Sequence, residues 1–302
     1  MQDEQKIGYL FPSGGPVPPG LVIGREDILA ELERRVDEGI HTMLTGPRRI
    51  GKTTVCNAVC DHLSEEGSLV VKVEVPESAN AEVLLQAVVD CSRQQASLLD
   101  VGGRMLRAAQ PLLEVILKEQ GLPLDLSQLR RPSADTARRV LALPLRLAEK
   151  CSRPTIFYLD ELQRVVDYAD GEHLLGDLID LYSGQSDAVL LVDGSSERTL
   201  EQMMAPPIGF GKVVDRLPLA EKIPERVWRE SLPDRFKRAN LEVDPEALAA
   251  LNSFGGGRPY ATMTAARYAA LNARKLGSGS VGIFEMTEGI AEARRHLAED
   301  EA

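Results

Sequence analysis

Gly46-Pro47-Arg48-Arg49-Ile50-Gly51-Lys52-Thr53 decides how the rest of this chain reads. The stretch fits G-x-x-x-x-G-K-[ST], a loop that cradles phosphate. Gly46 and Gly51 let the backbone turn tightly and bring its N–H groups against phosphate oxygens. Lys52 supplies a cation for the β- and γ-phosphates, and Thr53 a hydroxyl for Mg²⁺. The helix beginning here points its positive end at the same anions. The candidate binding set is therefore Gly46, Pro47, Arg48, Arg49, Ile50, Gly51, Lys52 and Thr53, with the adjoining Thr54.

The flanks suit the motif. Residues 40–45 predict a short buried strand, and Val55, Ala58, Val59, His62 and Leu63 recur at helical spacing. The order is strand, glycine loop, helix. Downstream, residues 69–75 alternate as a second strand. Residues 81–150 are helical in pattern, interrupted at Gly102-Gly103 and by a loop over 121–132, with a kink expected at Pro144. Residues 154–161, 188–193 and 212–217 predict the third, fourth and fifth strands. Near-continuous apolar strands separated by helices predict a parallel sheet covered on both faces. From Ile223 onward only helices and turns are expected, one of them capped by Asp244 with Pro245 in its first turn. Residues 1–20, rich in Pro and Gly toward their end, are expected to form an extended arm.

The third strand carries a second motif. Ile156-Phe157-Tyr158-Leu159-Asp160-Glu161 is the Walker B pattern of apolar residues followed by two acids. Asp160 is placed to hold Mg²⁺, usually through water, and Glu161 to polarise the attacking water as general base.

Composition narrows the partners. The 302 residues carry a formal net charge of −11, so bulk attraction to nucleic acid is disfavoured. Aromatic residues make up only 4%, with a single tryptophan, Trp228, which leaves little for base stacking along a single strand. No apolar run approaches the ~20 residues of a membrane span. The N-terminus has no signal pattern, and a cytoplasmic protein is expected. Cys56 and Cys60 lie one helical turn apart with no Cys or His set of zinc spacing nearby, and read as small buried apolar residues.

With both motifs in place, the chain resembles the AAA+ ATPases, and within them the archaeal-ATPase or STAND-like group. Four stretches carry the resemblance: Val22-Ile23-Gly24-Arg25-Glu26, the phosphate loop, Leu159-Asp160-Glu161-Leu162-Gln163, and Gly255-Gly256-Gly257-Arg258-Pro259-Tyr260. It implies an α/β P-loop fold with a parallel five-stranded sheet and a C-terminal all-helical lid. The domains it implies are an arm (1–20), a nucleotide-binding core (21–220, with a helical insertion at about 81–150) and a lid (221–302). Adenine would lie by Gly24 and Arg25, and the nucleotide between core and lid. Ser195 or Ser196 would stand where the family places a polar sensor for the γ-phosphate, the alternative being a helix cap before Glu197. Arg258 would be a lid sensor. Lys212 stands where the family usually has an arginine finger. It lacks the guanidinium fork, and Arg216 is nearby.

The resulting expectation is an ATPase using ATP and Mg²⁺, with lid closure acting on a protein partner or on another copy of the chain. The alternative is a nucleotide-gated switch with little turnover. A small-molecule kinase is disfavoured by the lid after the fifth strand.

Overall fold

In the computed structural model of this protein, residues 2–78, 80–97, 109–123, 125–126 and 133–301 are described. By packing, the chain divides into two compact units. One contains residues 29–45 and 59–218, the other residues 1–28, 46–58 and 219–302. The elements run α1 (Gln2–Leu10), α2 (Glu26–Asp37), β1 (Thr42–Thr45), α3 (Lys52–Glu65) and β2 (Leu69–Glu74). The helices α4 (Ala81–Ser97), α5 (Ala109–Glu119), α6 (Ala134–Leu141) and α7 (Leu143–Cys151) follow. Next come β3 (Thr155–Asp160), α8 (Gly171–Tyr182), β4 (Ala188–Asp193), α9 (Glu197–Met204) and β5 (Asp215–Pro218). The chain closes with α10 (Glu225–Arg238), β6 (Glu242–Val243), α11 (Pro245–Gly255), α12 (Pro259–Lys275), β7 (Ser280–Val281) and α13 (Ile283–Glu301).

The first unit is built on a five-stranded parallel sheet of order β2-β3-β4-β1-β5. Burial explains the order. Both β3 and β4 bury every residue, as strands with neighbours on both sides and helices on both faces must. The edge strands carry the exposed polar side chains: Lys72 and Glu74 on β2, Asp215 and Arg216 on β5. Pro218, with no N–H to donate, ends β5 at the open edge. On the other edge, the Val70 N–H is satisfied by Gln95 Oε1 at 3.1 Å. Because all strands are parallel, Thr45, Asp160 and Asp193 end at the same side of the sheet.

Helices α4 to α7 are the inserted group. Leu85, Val88, Ile116, Val140 and Leu147 join Phe157 and Leu190 in one apolar core. Each such side chain contributes about 1.5–3 kcal/mol by leaving water. The kink expected at Pro144 is a full break. The helix ends at Leu141, Ala142 is the joint, and Pro144 stands in the first turn of α7. A first turn needs no N–H from proline, whereas a helix interior does. Gly102-Gly103 and most of the expected loop over 121–132 lie outside the described residues. The first strand is shorter than expected. The fifth begins at Asp215, because Phe210–Lys212 forms a 3₁₀ turn that buries Phe210.

His41, just before β1, is buried, with both ring nitrogens engaged. The Leu190 N–H donates to Nδ1 at 3.0 Å, so Nε2 carries the proton and donates to the Tyr182 carbonyl at 2.8 Å. A second proton on Nδ1 would face that N–H, and burial already lowers the ring's pKa. The folded pKa lies below the unfolded value, so the unfolded chain takes up the proton first. Stability is then full above about pH 6.5 and falls as pH drops through that value toward the folded pKa, by at most about 1.4 kcal/mol per pH unit. Denaturant unfolding between pH 7.5 and 5 should show this slope flattened in His41→Gln. An equal slope in both proteins would exclude His41 as its source.

The second unit is helical. Trp228, Leu232 and Phe236 of α10 pack with Leu251 of α11 and Ala266, Ala269 and Ala270 of α12. The expected extended arm is corrected here, since residues 2–10 form α1. Ile7, Leu10 and Phe11, spaced three and four apart, are buried in this core, and Phe11 lies 4.7 Å from Phe236 between ring centroids. The Pro and Gly residues that suggested an extended chain begin only at Pro12. Arg235 holds both ends of the segment, donating to the carbonyls of Leu10 (2.8 Å) and Leu21. The expectation of helices and turns alone after Ile223 is also corrected. The strands β6 and β7 pair in parallel, with Glu242 opposite Ser280. Two-residue strands are too short to leave a periodicity, and pairing arises because these loop N–H groups need acceptors. Asp244 caps α11 through its backbone geometry, with no side-chain bond, and Pro245 stands in the first turn as expected. Among the described residues, no helix is long and apolar enough to cross a membrane.

Candidate functional site

The phosphate loop lies in the helical unit, between the end of β1 and α3. Gly46 has φ +142°, and a Cβ there would come 2.5 Å from Ile50 Cδ1 and 3.2 Å from the Leu219 carbonyl oxygen. Only glycine fits. Arg49 also takes a left-handed conformation (φ +65°), and Gly51 another (φ +98°) before α3 starts at Lys52. Lys52 is 6% exposed, and its ammonium curls back over the loop, donating to the carbonyls of Gly46 (2.7 Å) and Pro47 (2.8 Å). A buried cation ringed by a glycine-cornered loop is a cradle for an anion.

Gly24 and Arg25 belong to the same unit. Arg25 is buried, donating to the Ile50 carbonyl at 3.0 Å and to the Ala220 carbonyl at 2.8 Å, and burial lowers its pKa. The guanidinium thus ties the phosphate loop to the start of the C-terminal segment. Thr54 is buried, and its Oγ1 accepts from the Val17 N–H at 3.1 Å, while Thr53 is half-buried. Beside the loop lies a small apolar pocket, with Val17, Val22, Ile23, Ile50, Ile223 and Trp228 among its walls. The buried indole N–H of Trp228 has no acceptor among the described residues. Arg48 and Arg49 are exposed, and the Arg49 guanidinium lies 4.6 Å over the Tyr260 ring, whose hydroxyl is 3.2 Å from His296 Nε2.

Arg258 precedes α12 and is exposed, and its guanidinium has no partner among the described residues. The three glycines before it form a closely packed turn. Gly256 caps α11 at φ +55°, and at Gly257 (φ +82°) a Cβ would meet the Ile223 carbonyl oxygen at 2.7 Å.

The other candidates lie at the sheet's C-terminal side in the α/β unit. Asp160 ends β3 and is 6% exposed. Glu161 follows at φ +58° and is half-buried. Burial alone would raise its pKa. Hydrogen bonds from Ser195 and Gln163 outweigh that and hold it below the usual carboxylate value. The Ser195 hydroxyl donates to Glu161 Oε2 at 2.7 Å. Ser196 is the cap of α9, its Oγ accepting from the Thr199 N–H at 3.4 Å. Lys212 and Arg216 are both exposed, Lys212 in the 3₁₀ turn and Arg216 on the edge strand. Cys56 and Cys60 are buried, and burial pushes the Cys60 thiol up to about 12.

Sequence reasoning gave no role to Gln163, Asp193, Trp228 or Tyr260. Clues existed for Gln163, two residues after Glu161, and for Tyr260, two after Arg258, since both stand in stretches quoted for the resemblance.

A glycine-cornered phosphate loop following the first strand of a parallel sheet, with an acid pair at the end of the third, defines a P-loop NTPase. The family model of the AAA ATPase domain matches residues 21–192, more than half of the chain. The chain therefore belongs to the AAA ATPases, the ATP-binding P-loop NTPases of AAA+ type. None of the curated proteins matches its sequence. Solved structures share the fold at low identity. The Walker-type ATPase of Pyrococcus abyssi is 17% identical with a TM-score of 0.65, over 97% of this chain and 78% of that one. The Aeropyrum pernix ORC1 protein, solved in complex with DNA, is 17% identical with a TM-score of 0.61, over 95% and 69%. The Aeropyrum pernix ORC2 protein, solved as ADPNP-ADP complexes, is 18% identical with a TM-score of 0.62, over 94% and 72%.

Proposed function

We propose that this protein hydrolyses ATP with Mg²⁺ and uses the change of nucleotide to act on a partner macromolecule, either another protein or a second copy of the chain. Residues 21–220 serve as nucleotide-binding core and residues 221–302 as lid. The observation that carries the reading is the buried Lys52 ammonium inside a loop that only glycine can close. An anion arriving there meets a desolvated cation and oriented N–H groups.

The residues present fit the nucleotide. The apolar walls beside the loop suit the face of a purine. The phosphates fall to the loop from Gly46 to Thr54, and Arg258 is the exposed lid cation for a γ-phosphate. Among the described residues no cluster of three or more His, Cys, Asp or Glu could hold a metal by itself. Mg²⁺ would be carried largely by phosphate oxygens and water, with Thr53 and Asp160 assigned to it from the motifs. When bound, the ion neutralises charge on the β- and γ-phosphates. Glu161, held ionised by its hydrogen bonds, takes a proton from the attacking water.

Two measurements on one preparation test this. Phosphate release from ATP should require Mg²⁺, with specific activity rising with protein concentration if copies complete each other's sites. Hydrogen exchange over residues 224–290 should slow more with a slowly hydrolysed ATP analogue than with ADP. ATP binding with no phosphate release at any concentration would leave the nucleotide-gated switch. Equal protection by ADP and the analogue would remove lid closure.

A further inference from the structure

We infer that Gln163 and Ser195 are positioning residues for the Glu161 carboxylate, gripping its Oε2 so that Oε1 is the oxygen that takes the proton. The inference rests on the assignment of Glu161 as base made above. The Ser195 hydroxyl donates to Oε2 at 2.7 Å, and the Gln163 amide donates to the same oxygen. Gln163 Nε2 also lies 3.3 Å from Ser195 Oγ, so the three side chains form one closed group. Oε1 receives neither of these side-chain donors.

The surroundings are built for this grip. The Glu161 N–H donates to Asp193 Oδ1, and the Tyr158 hydroxyl to Asp193 Oδ2, both at 3.3 Å. The left-handed backbone of Glu161 is therefore pinned to the neighbouring strand. Gly194 leaves the space that the Gln163 amide fills. A Cβ there would lie 2.1 Å from Gln163 Oε1. That oxygen is buried without a partner among the described residues. Turning the amide over would set its oxygen against the Glu161 carboxylate. The orientation is thus chosen by Glu161.

One further fact separates this role from contact with the γ-phosphate. A serine hydroxyl has a single proton to donate, and that of Ser195 is directed at Glu161. Ser196 is engaged as a helix cap. In the step itself, a water O–H bond breaks and its proton passes to Glu161 Oε1. The water oxygen bonds to the γ-phosphorus, the β,γ-bridging P–O bond breaks, and its electron pair leaves with ADP. The proton then returns to solvent.

The test compares native protein with Ser195→Ala, Ser195→Thr, Gln163→Met and Gly194→Ala, reading kcat, KM and the ratio of ATP to ADP affinity. Loss of the grip should lower kcat about 10- to 100-fold in Ser195→Ala, Gln163→Met and Gly194→Ala, with KM and the affinity ratio moved by less than about threefold. Ser195→Thr keeps the hydroxyl and should recover most of the rate. A Ser195→Ala protein that loses ATP affinity relative to ADP while keeping kcat overturns the inference and returns Ser195 to the phosphate. Unchanged kcat in Gln163→Met overturns it equally, and that variant carries the test if Ser195→Ala does not fold. Native protein that hydrolyses ATP no faster than Glu161→Gln removes the base assignment itself, and this inference with it.

Discussion

Lys52→Ala is expected to bind ATP and Mg²⁺ about 30- to 1,000-fold more weakly than native protein in titration calorimetry. The physical reason is the position of the ammonium, which is 6% exposed and held over the loop by the Gly46 and Pro47 carbonyls. A charge-assisted contact made from a desolvated position is worth about 2–4 kcal/mol, which is that range of affinity. Removing the ammonium also leaves two loop carbonyls without it. Circular dichroism and a Lys52→Met variant, which keeps the stem, separate loss of the contact from loss of the fold. Native affinity in a folded Lys52→Met would remove this loop from the nucleotide site.

The second large effect is expected at Glu161. Glu161→Gln should bind ATP at near-native affinity and hydrolyse it about 10²–10⁴-fold more slowly, the usual consequence of losing a general base. Glutamine keeps the shape, and its carbonyl oxygen still accepts from Ser195, but no basic oxygen is left for the proton. Single-turnover phosphate release with ATP prebound isolates the chemical step. If that rate stays native, water activation by Glu161 fails as a mechanism, whatever happens to affinity.

Much of the fold was legible because its signals are local. The apolar strands expected at 154–161 and 188–193 read as buried, and both lie inside the sheet with a strand on either side. The phosphate loop and the acid pair at Asp160 and Glu161 are contiguous motifs. Their residue types are dictated by what a phosphate or a metal-bound water needs, so no partner far along the chain is required to recognise them. Where composition spoke more loudly than periodicity, the reading failed. The prolines and glycines after Phe11 hid the three apolar positions of Ile7, Leu10 and Phe11, and Pro144 broke the helix it was expected only to bend.

The site divides along the same line. Sequence alone proposed which residues would face phosphate, because Gly46, Gly51, Lys52 and Thr53 lie within one turn of backbone. It also placed two serines after the fourth strand without saying which did what. Only the tertiary structure separated them, since Ser195 meets a carboxylate 34 positions away and Ser196 caps its own helix. The same holds for Gln163, whose place depends on Gly194 in the neighbouring strand's exit. It holds also for the pocket that brings Val17, Ile50 and Trp228 to one surface. A motif is read where its chemistry is completed by neighbours in the chain. A grip, a pocket wall or a strand order is completed by residues that only folding brings together, so no spacing in the sequence records it.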